Sequence, residues 1–220
     1  EVHVFTLAGF AGVAPIATDT GWLRLQRDAI AGYIRERRLE KPVIVGHSLG
    51  GMLALWIAAT HPELPGAVVN VDGMPFFAAV MMPNASAEAM RPMATQMRAQ
   101  MLSPGARENY LRMQGAQLKM MARDSASHPM LARHGTDSDL PTIAIAMHDM
   151  YIQDLRADLA RVSVPVLNVH AWAAYAAMGQ SRAGIERIAA NQYAALRNTR
   201  LRIHATAYHF VMLDEPQWLH

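Results

Sequence analysis

The chain has 220 residues, 52% hydrophobic and 17% charged, with a formal net charge of +2. That composition describes one globular domain with a sizeable core and excludes a disordered chain. The near-balanced charge, with no concentrated basic stripe, argues against nucleic acid, and no apolar run approaches the ~18–20 residues of a membrane span. With no cysteine, disulfides, thiol catalysis and thiolate metal sites are excluded as well.

Glu1 to Leu7 alternates β-formers (Val2, Val4, Phe5) and predicts a strand, followed by the glycine turn Ala8-Gly9-Phe10-Ala11-Gly12. Thr18-Asp19-Thr20 offers N-caps for a helix over 21–38, with Leu23, Ile30 and Ile34 on one face and Arg35 to Arg38 as its solvated end. Val43-Ile44-Val45 is a short β-branched run, expected as a buried parallel strand. Met52 to Thr60 is apolar all round, as in a helix packed on both sides, and His61-Pro62 stops it. Ala67 to Val71 is the next strand and ends at Asp72-Gly73.

From Met74 to Met150 helical periodicity dominates, with Ser103-Pro104 as an N-cap followed by proline at the first helical position. Of sixteen methionines, all but Met52, Met178 and Met212 fall here, and Met90, Met93, Met97 and Met101 form one stripe. Such a stripe serves packing more often than ligand contact, although Met also suits a surface that adapts to varied apolar ligands. Strand pattern resumes over 164–170, a helix follows over 182–197, and the last strand is expected over 201–206. The loop Ala207-Tyr208-His209-Phe210 follows it, and Asp214-Glu215-Pro216 opens a final helix.

Between the β-branched run and the apolar helix sits Gly46-His47-Ser48-Leu49-Gly50-Gly51. A strand that turns sharply into a helix holds its central residue in a strained backbone with the side chain thrust outward. Gly46 and Gly50 are both expected to be glycine because a Cβ at either would clash. Ser48 then lies near the positive end of the helix dipole, and the Leu49 N–H points where an oxyanion would form.

In this context the stretch resembles the nucleophile elbow of the α/β-hydrolase fold superfamily, in its GHSxGG form. The resemblance implies an α/β fold: a mostly parallel sheet flanked by helices, with residues 1–73 and 151–220 as core and 74–150 as an inserted, Met-rich helical lid. Two assignments compete for the opening stretch. Residues 7–12 resemble the family's DLPGFG-like loop after the fourth strand, which connection length favours; the first three strands would then lie upstream of Glu1. Alternatively residues 1–12 form the third strand, and the Phe10 N–H is the second oxyanion donor.

The superfamily's chain order is Ser, acid, His. His209, in a YHFVMLDEP context, resembles the catalytic-histidine loop. His204 is expected to be structural, His170 to be a hydrogen-bonded core residue, and His47 to point into the sheet or lid at the substrate pocket. The family's usual acid position, after the seventh strand, has no carboxylate here over 171–178; the resemblance offers an alternative used by some relatives, the end of strand six, where Asp72 would orient the histidine. The competing reading of Asp72 is a turn residue bonding its own loop. Asp214 fits a helix N-cap better. Trp172, Phe76, Phe77, Tyr175 and Met74, all just past strand ends, line an apolar acyl pocket or pack lid to sheet. The expected activity is a serine hydrolase acting on a small or apolar ester, without cofactor or metal. C–C hydrolase, lactonase, thioesterase, acyltransferase, perhydrolase and a slow-turnover ligand-binding protein share the same residues.

Overall fold

The computed structural model describes every residue except Met178 and His220. Its centre is a four-stranded, all-parallel sheet in the order β1-β2-β3-β4, with β1 Val43–His47, β2 Ala67–Val71, β3 Val166–His170 and β4 Thr199–Ile203. Val43 pairs with Ala67, Val68 with Val166, and Val166 with Thr199, so all four strands end at one edge. In an open parallel sheet that C-terminal edge is where a site forms.

Helix α1 (Trp22–Glu36) precedes β1, and α2 (Leu49–Thr60) follows it without a gap beyond Ser48. The all-round apolar character of α2 has a direct cause. One face, Leu55, Ala58 and Ala59, meets Val68, Val166, Leu159 and Leu196 against the sheet. The opposite face, Met52, Leu53 and Trp56, meets Trp22 and Leu23 of α1 together with Ile145, Met150 and Leu155. Burying each such side chain is worth about 1.5–3 kcal/mol, so α2 is the mechanical axis of the fold.

Between β2 and β3 the chain is helical, as expected: α3 (Ala78–Met81), α4 (Ala87–Met101), α5 (Ala106–Met121), α6 (His128–Thr136) and α7 (Leu140–Ile152). After β3 come α8 (Ala173–Ala176) and α9 (Arg182–Gln192), and after β4 come α10 (Val211–Asp214) and α11 (Pro216–Leu219).

Four expectations need correction. Residues 1–7 form no strand; Val2 and Val4 are each 87% exposed. A strand needs a ladder partner, and this stretch instead lies on α1, where His3 Nδ1 meets the Tyr33 hydroxyl at 2.8 Å and Phe5 meets the Tyr33 ring edge-on. β1 is not buried on both faces: it is an edge strand with Val43 and Val45 exposed. The N-terminus of α1 is not capped by Thr18–Thr20. Gly21 takes the cap position at φ 69°, and the buried Asp149 carboxylate of α7 accepts the Leu23 N–H at 3.1 Å, answering the helix dipole from across the fold. Likewise Gly105, not Ser103, precedes α5; the Ser103 hydroxyl turns back to the Gln100 carbonyl at 2.7 Å.

Candidate active site

The site grows out of the C-terminal ends of β1, β2 and β3. Ser48 sits between β1 and α2 at φ 54°, ψ −118°, a backbone that L-residues seldom adopt. Its N–H donates to the Val71 carbonyl at 2.8 Å, which ties the elbow to the end of β2, and its side chain makes no cap bond to α2. The hydroxyl is therefore left for other chemistry. Leu49 opens α2, so its N–H lies at the positive end of that helix.

Asp72 follows β2 with φ 51° and is 9% exposed. Its N–H donates to the Val169 carbonyl at 2.7 Å. Its Oδ2 accepts from Nδ1 of His209 at 2.7 Å, and its Oδ1 accepts from Nδ1 of His170 and from the Ala171 N–H, both at 3.0 Å. Burial by itself would raise this carboxyl. The hydrogen bonds from His170 and His209, with the charges of both rings, outweigh burial and hold it far below the ordinary carboxylate range. The bond to Asp72 occupies Nδ1 of His209, which fixes the tautomer and leaves Nε2 to act as a base.

His47, adjacent to Ser48, donates through Nε2 to the His209 carbonyl at 2.9 Å, and the two rings lie 4.5 Å apart. Burial, then the neighbouring His209, pushes the His47 ring down to about 4. The His209 loop is anchored from behind by Asp214. Its Oδ2 accepts the Tyr208 N–H at 2.7 Å, and its Oδ1 accepts the N–H groups of Arg123 and Asp124 at 2.9 and 3.0 Å. Asp214 is thus a clamp between the loop and the helical segment, not the N-cap expected of it.

The structure brings Asp72 and His209 together and lays His47 on them. His204 has the expected structural place, its Nδ1 accepting the N–H groups of Thr206 and Ala207. Phe10, expected as a second oxyanion donor, has its N–H engaged elsewhere. Its N–H donates to the Leu7 carbonyl at 3.0 Å in a tight turn whose third residue, Gly9, has φ 84°. The neighbouring N–H groups of Ala11 and Gly12 are taken by Ser138 Oγ and the Asp137 carbonyl. Phe76 does not line an open pocket either. It is 0% exposed, packed with Ala78, Ala79 and Met90 beneath the Arg156 guanidinium at 4.8 Å. Trp172 is half-buried just past β3, its indole N–H donating to the Ala205 carbonyl at 2.8 Å. Among the described residues no group of three or more His, Asp or Glu side chains is placed to hold a metal ion.

The sequence reading missed the partners of Asp72 on the far side from His209. His170 was expected only as a core residue, and Tyr193, whose hydroxyl lies 2.8 Å from His170 Nε2, was not singled out. A signal was present: an ionisable side chain at the last position of a buried strand needs a partner.

A family model described as the alpha/beta hydrolase family matches residues 1–220, the whole chain. The chain belongs to the alpha/beta hydrolase family. Among curated relatives, the chain is 32% identical over 78 residues to a pimeloyl-[acyl-carrier protein] methyl ester esterase of Citrobacter koseri, a match covering 36% of the chain and 28% of the relative. It is 42% identical over 48 residues to a putative carbamate hydrolase of Serratia proteamaculans, covering 22% of the chain and 18% of the relative. The matched stretches thus span less than a third of either relative's length. Among solved structures, an esterase from Exiguobacterium antarcticum superposes with a TM-score of 0.74 at 14% identity, covering 96% of this chain and 75% of that one, a likeness of fold. No helix among the described residues is long and apolar enough to cross a membrane.

Proposed function

We propose that this protein is a serine hydrolase that cleaves carboxylic esters of small or apolar substrates through an acyl-enzyme. The observation that carries the reading is the 2.7 Å bond from His209 Nδ1 to the ionised Asp72, made beside an elbow that holds Ser48 at positive φ. Ser48 Oγ attacks the ester carbonyl while His209 Nε2 takes its proton. The tetrahedral oxyanion is met by the Leu49 N–H, one such donor being worth roughly 3–4 kcal/mol of barrier. His209 then returns the proton to the leaving alkoxide, the C–O bond breaks, and the acyl group stays on Ser48. Water, deprotonated by the same nitrogen, releases the acid and restores the serine. Asp72 keeps His209 in the right tautomer and steadies the imidazolium formed in each half-reaction.

Ester and carbamate hydrolysis, named for the two curated relatives, are both acyl transfers to water and fit the same machinery. The helical segment 74–150 acts as the cap over the strand ends, with Trp172 at the margin of the acyl site. A fluorophosphonate is the test. One adduct per chain, mapped to Ser48 and blocked by Ser48→Ala, is expected; a folded protein that takes up none would overturn the reading.

A further inference from the structure

Asp72 has two oxygens, and the structure treats them differently. Oδ2 meets the His209 ring, which belongs to a loop. Oδ1 is gripped by two donors from the end of β3, the Nδ1–H of His170 and the backbone N–H of Ala171. His170 is 0% exposed, and behind it the Tyr193 hydroxyl lies 2.8 Å from Nε2. The same hydroxyl donates to the Gly73 carbonyl at 2.5 Å, and Gly73 is the next residue after Asp72. Asn70 completes the ring. Its Nδ2 lies 2.9 Å from both the Tyr193 hydroxyl and the Gly73 carbonyl, its Oδ1 accepts the Gly73 N–H at 3.1 Å, and its amide reaches Asn168 at 2.7 Å.

A polar network this deep is costly unless every member is matched, and packing alone would be served more cheaply by apolar side chains. What the network accomplishes is specific. A carboxylate held through one oxygen can swing about its Cβ–Cγ bond. With Oδ1 pinned twice to β3 and the Asp72-Gly73 backbone pinned by Tyr193 and Asn70, the carboxylate plane is fixed and Oδ2 stays aimed at His209.

We propose that His170, backed by Tyr193, is a positioning residue that sets the plane of the Asp72 carboxylate for His209, an inference that rests on the roles of Ser48, His209 and Asp72 given above. The donor matters, not the ring. In His170→Asn the amide nitrogen stands where Nδ1 stood and keeps the bond to Oδ1; His170→Leu fills space and donates nothing.

The experiment compares wild type, His170→Asn, His170→Leu and Tyr193→Phe on a chromogenic short-chain acyl ester. It also follows the low-field proton resonance of the His209 Nδ1–H, which reports the bond to Asp72 without turnover. Fluorophosphonate labelling of wild type is run alongside, so an unreactive Ser48 indicts the site assignment while the resonance still tests His170. The expectation for His170→Leu is a kcat lower by about 10- to 100-fold with KM unchanged, and a lost or displaced resonance. His170→Asn should stay within about five-fold of wild type with the resonance kept. Tyr193→Phe should lose several-fold in kcat and shift the resonance; it carries the test if His170→Leu does not fold. A folded His170→Leu with wild-type kcat and an unmoved resonance overturns the proposal. So does equal loss in the Asn and Leu variants, or a Tyr193→Phe protein unchanged in both readouts.

Discussion

His47 and His209 lie ring to ring, 4.5 Å between centroids, and the Nε2–H of His47 donates to the carbonyl of its partner at 2.9 Å. Two imidazoles so close cannot both be charged at low cost. The arrangement resolves this by keeping His47 neutral, through burial first and the charge of His209 second, with its ring titrating at about 4. The residue preceding Ser48 thereby holds the His209 loop in place.

This has a consequence for stability. A histidine whose folded-state value falls below its unfolded one binds more protons when unfolded. Its contribution is therefore intact above pH 6.5 and is lost as pH falls from there toward 4. The loss is at most about 3.5 kcal/mol, a tenfold change in proton affinity corresponding to about 1.4 kcal/mol. In His47→Gln the amide nitrogen stands near Nε2 and keeps the bond to the His209 carbonyl, but nothing titrates. Urea unfolding between pH 7 and 4 should show a flatter stability profile for the variant; an equally steep one would mean that His47 is not the group responsible.

Asp72 gives a prediction of the opposite kind. Its folded-state value is depressed, so its contribution is present above the ordinary carboxylate range near 4 and is lost only as pH falls below that range. It stays ionised down through the ordinary carboxylate range. Asp72→Asn should lower kcat by about 10⁴-fold, since the amide no longer selects the His209 tautomer. Activity within ten-fold of wild type would place the triad acid elsewhere.

Asp214 is the third test. Its carboxylate accepts three backbone N–H groups, from Tyr208, Arg123 and Asp124, and so ties the histidine loop to the helical segment. Asp214→Ala leaves those donors without their acceptor, at a cost of about 3 kcal/mol in the denaturant midpoint. Because Tyr208 precedes His209, kcat should fall more than stability alone explains. Asp214→Asn, which retains one acceptor oxygen, should fall between the two. An alanine variant with unaltered midpoint and turnover would contradict the clamp.

What the sequence disclosed and what it hid divide along a physical line. The elbow was legible because its requirements are local: a strand, a tight turn and a helix within 18 residues, 43–60. The pairing of Asp72 with His209, 137 residues apart, was reached from chain order and from the lack of a carboxylate after β3. His170 could not be assigned that way. It is 98 residues from Asp72, and a histidine in a strand has no periodic signature of its partner. The opening strand failed for the same reason. Alternation reports β-propensity, but a strand exists only where a neighbour offers its ladder, and Glu1 to Leu7 lies on Tyr33 instead. The turn at Gly9 was readable. Which of its N–H groups remain free depends on Ser138, 127 residues beyond Ala11, and Asp137, and no local pattern shows them.

The two outer glycines of the elbow are not equivalent. A Cβ at Gly46 would stand 2.0 Å from the Gly50 carbonyl oxygen and 2.6 Å from the Gly51 nitrogen, both backbone atoms of a helix locked between sheet and α1. Nothing there can yield. A Cβ at Gly50 would meet nothing within 4 Å, so the expectation that both positions forbid a side chain holds for Gly46 alone. Gly46→Ala should push Ser48 off its backbone angles or unfold the chain, losing phosphonate labelling along with at least about 3 kcal/mol. Gly50→Ala, half-buried on the first turn of α2, should be neutral or gain up to about 1 kcal/mol from reduced unfolded-state entropy, with labelling of Ser48 intact. The comparison is read from unfolding midpoints and adduct yield on the same two proteins. Equal damage from both substitutions would mean that the elbow packs differently from the geometry described.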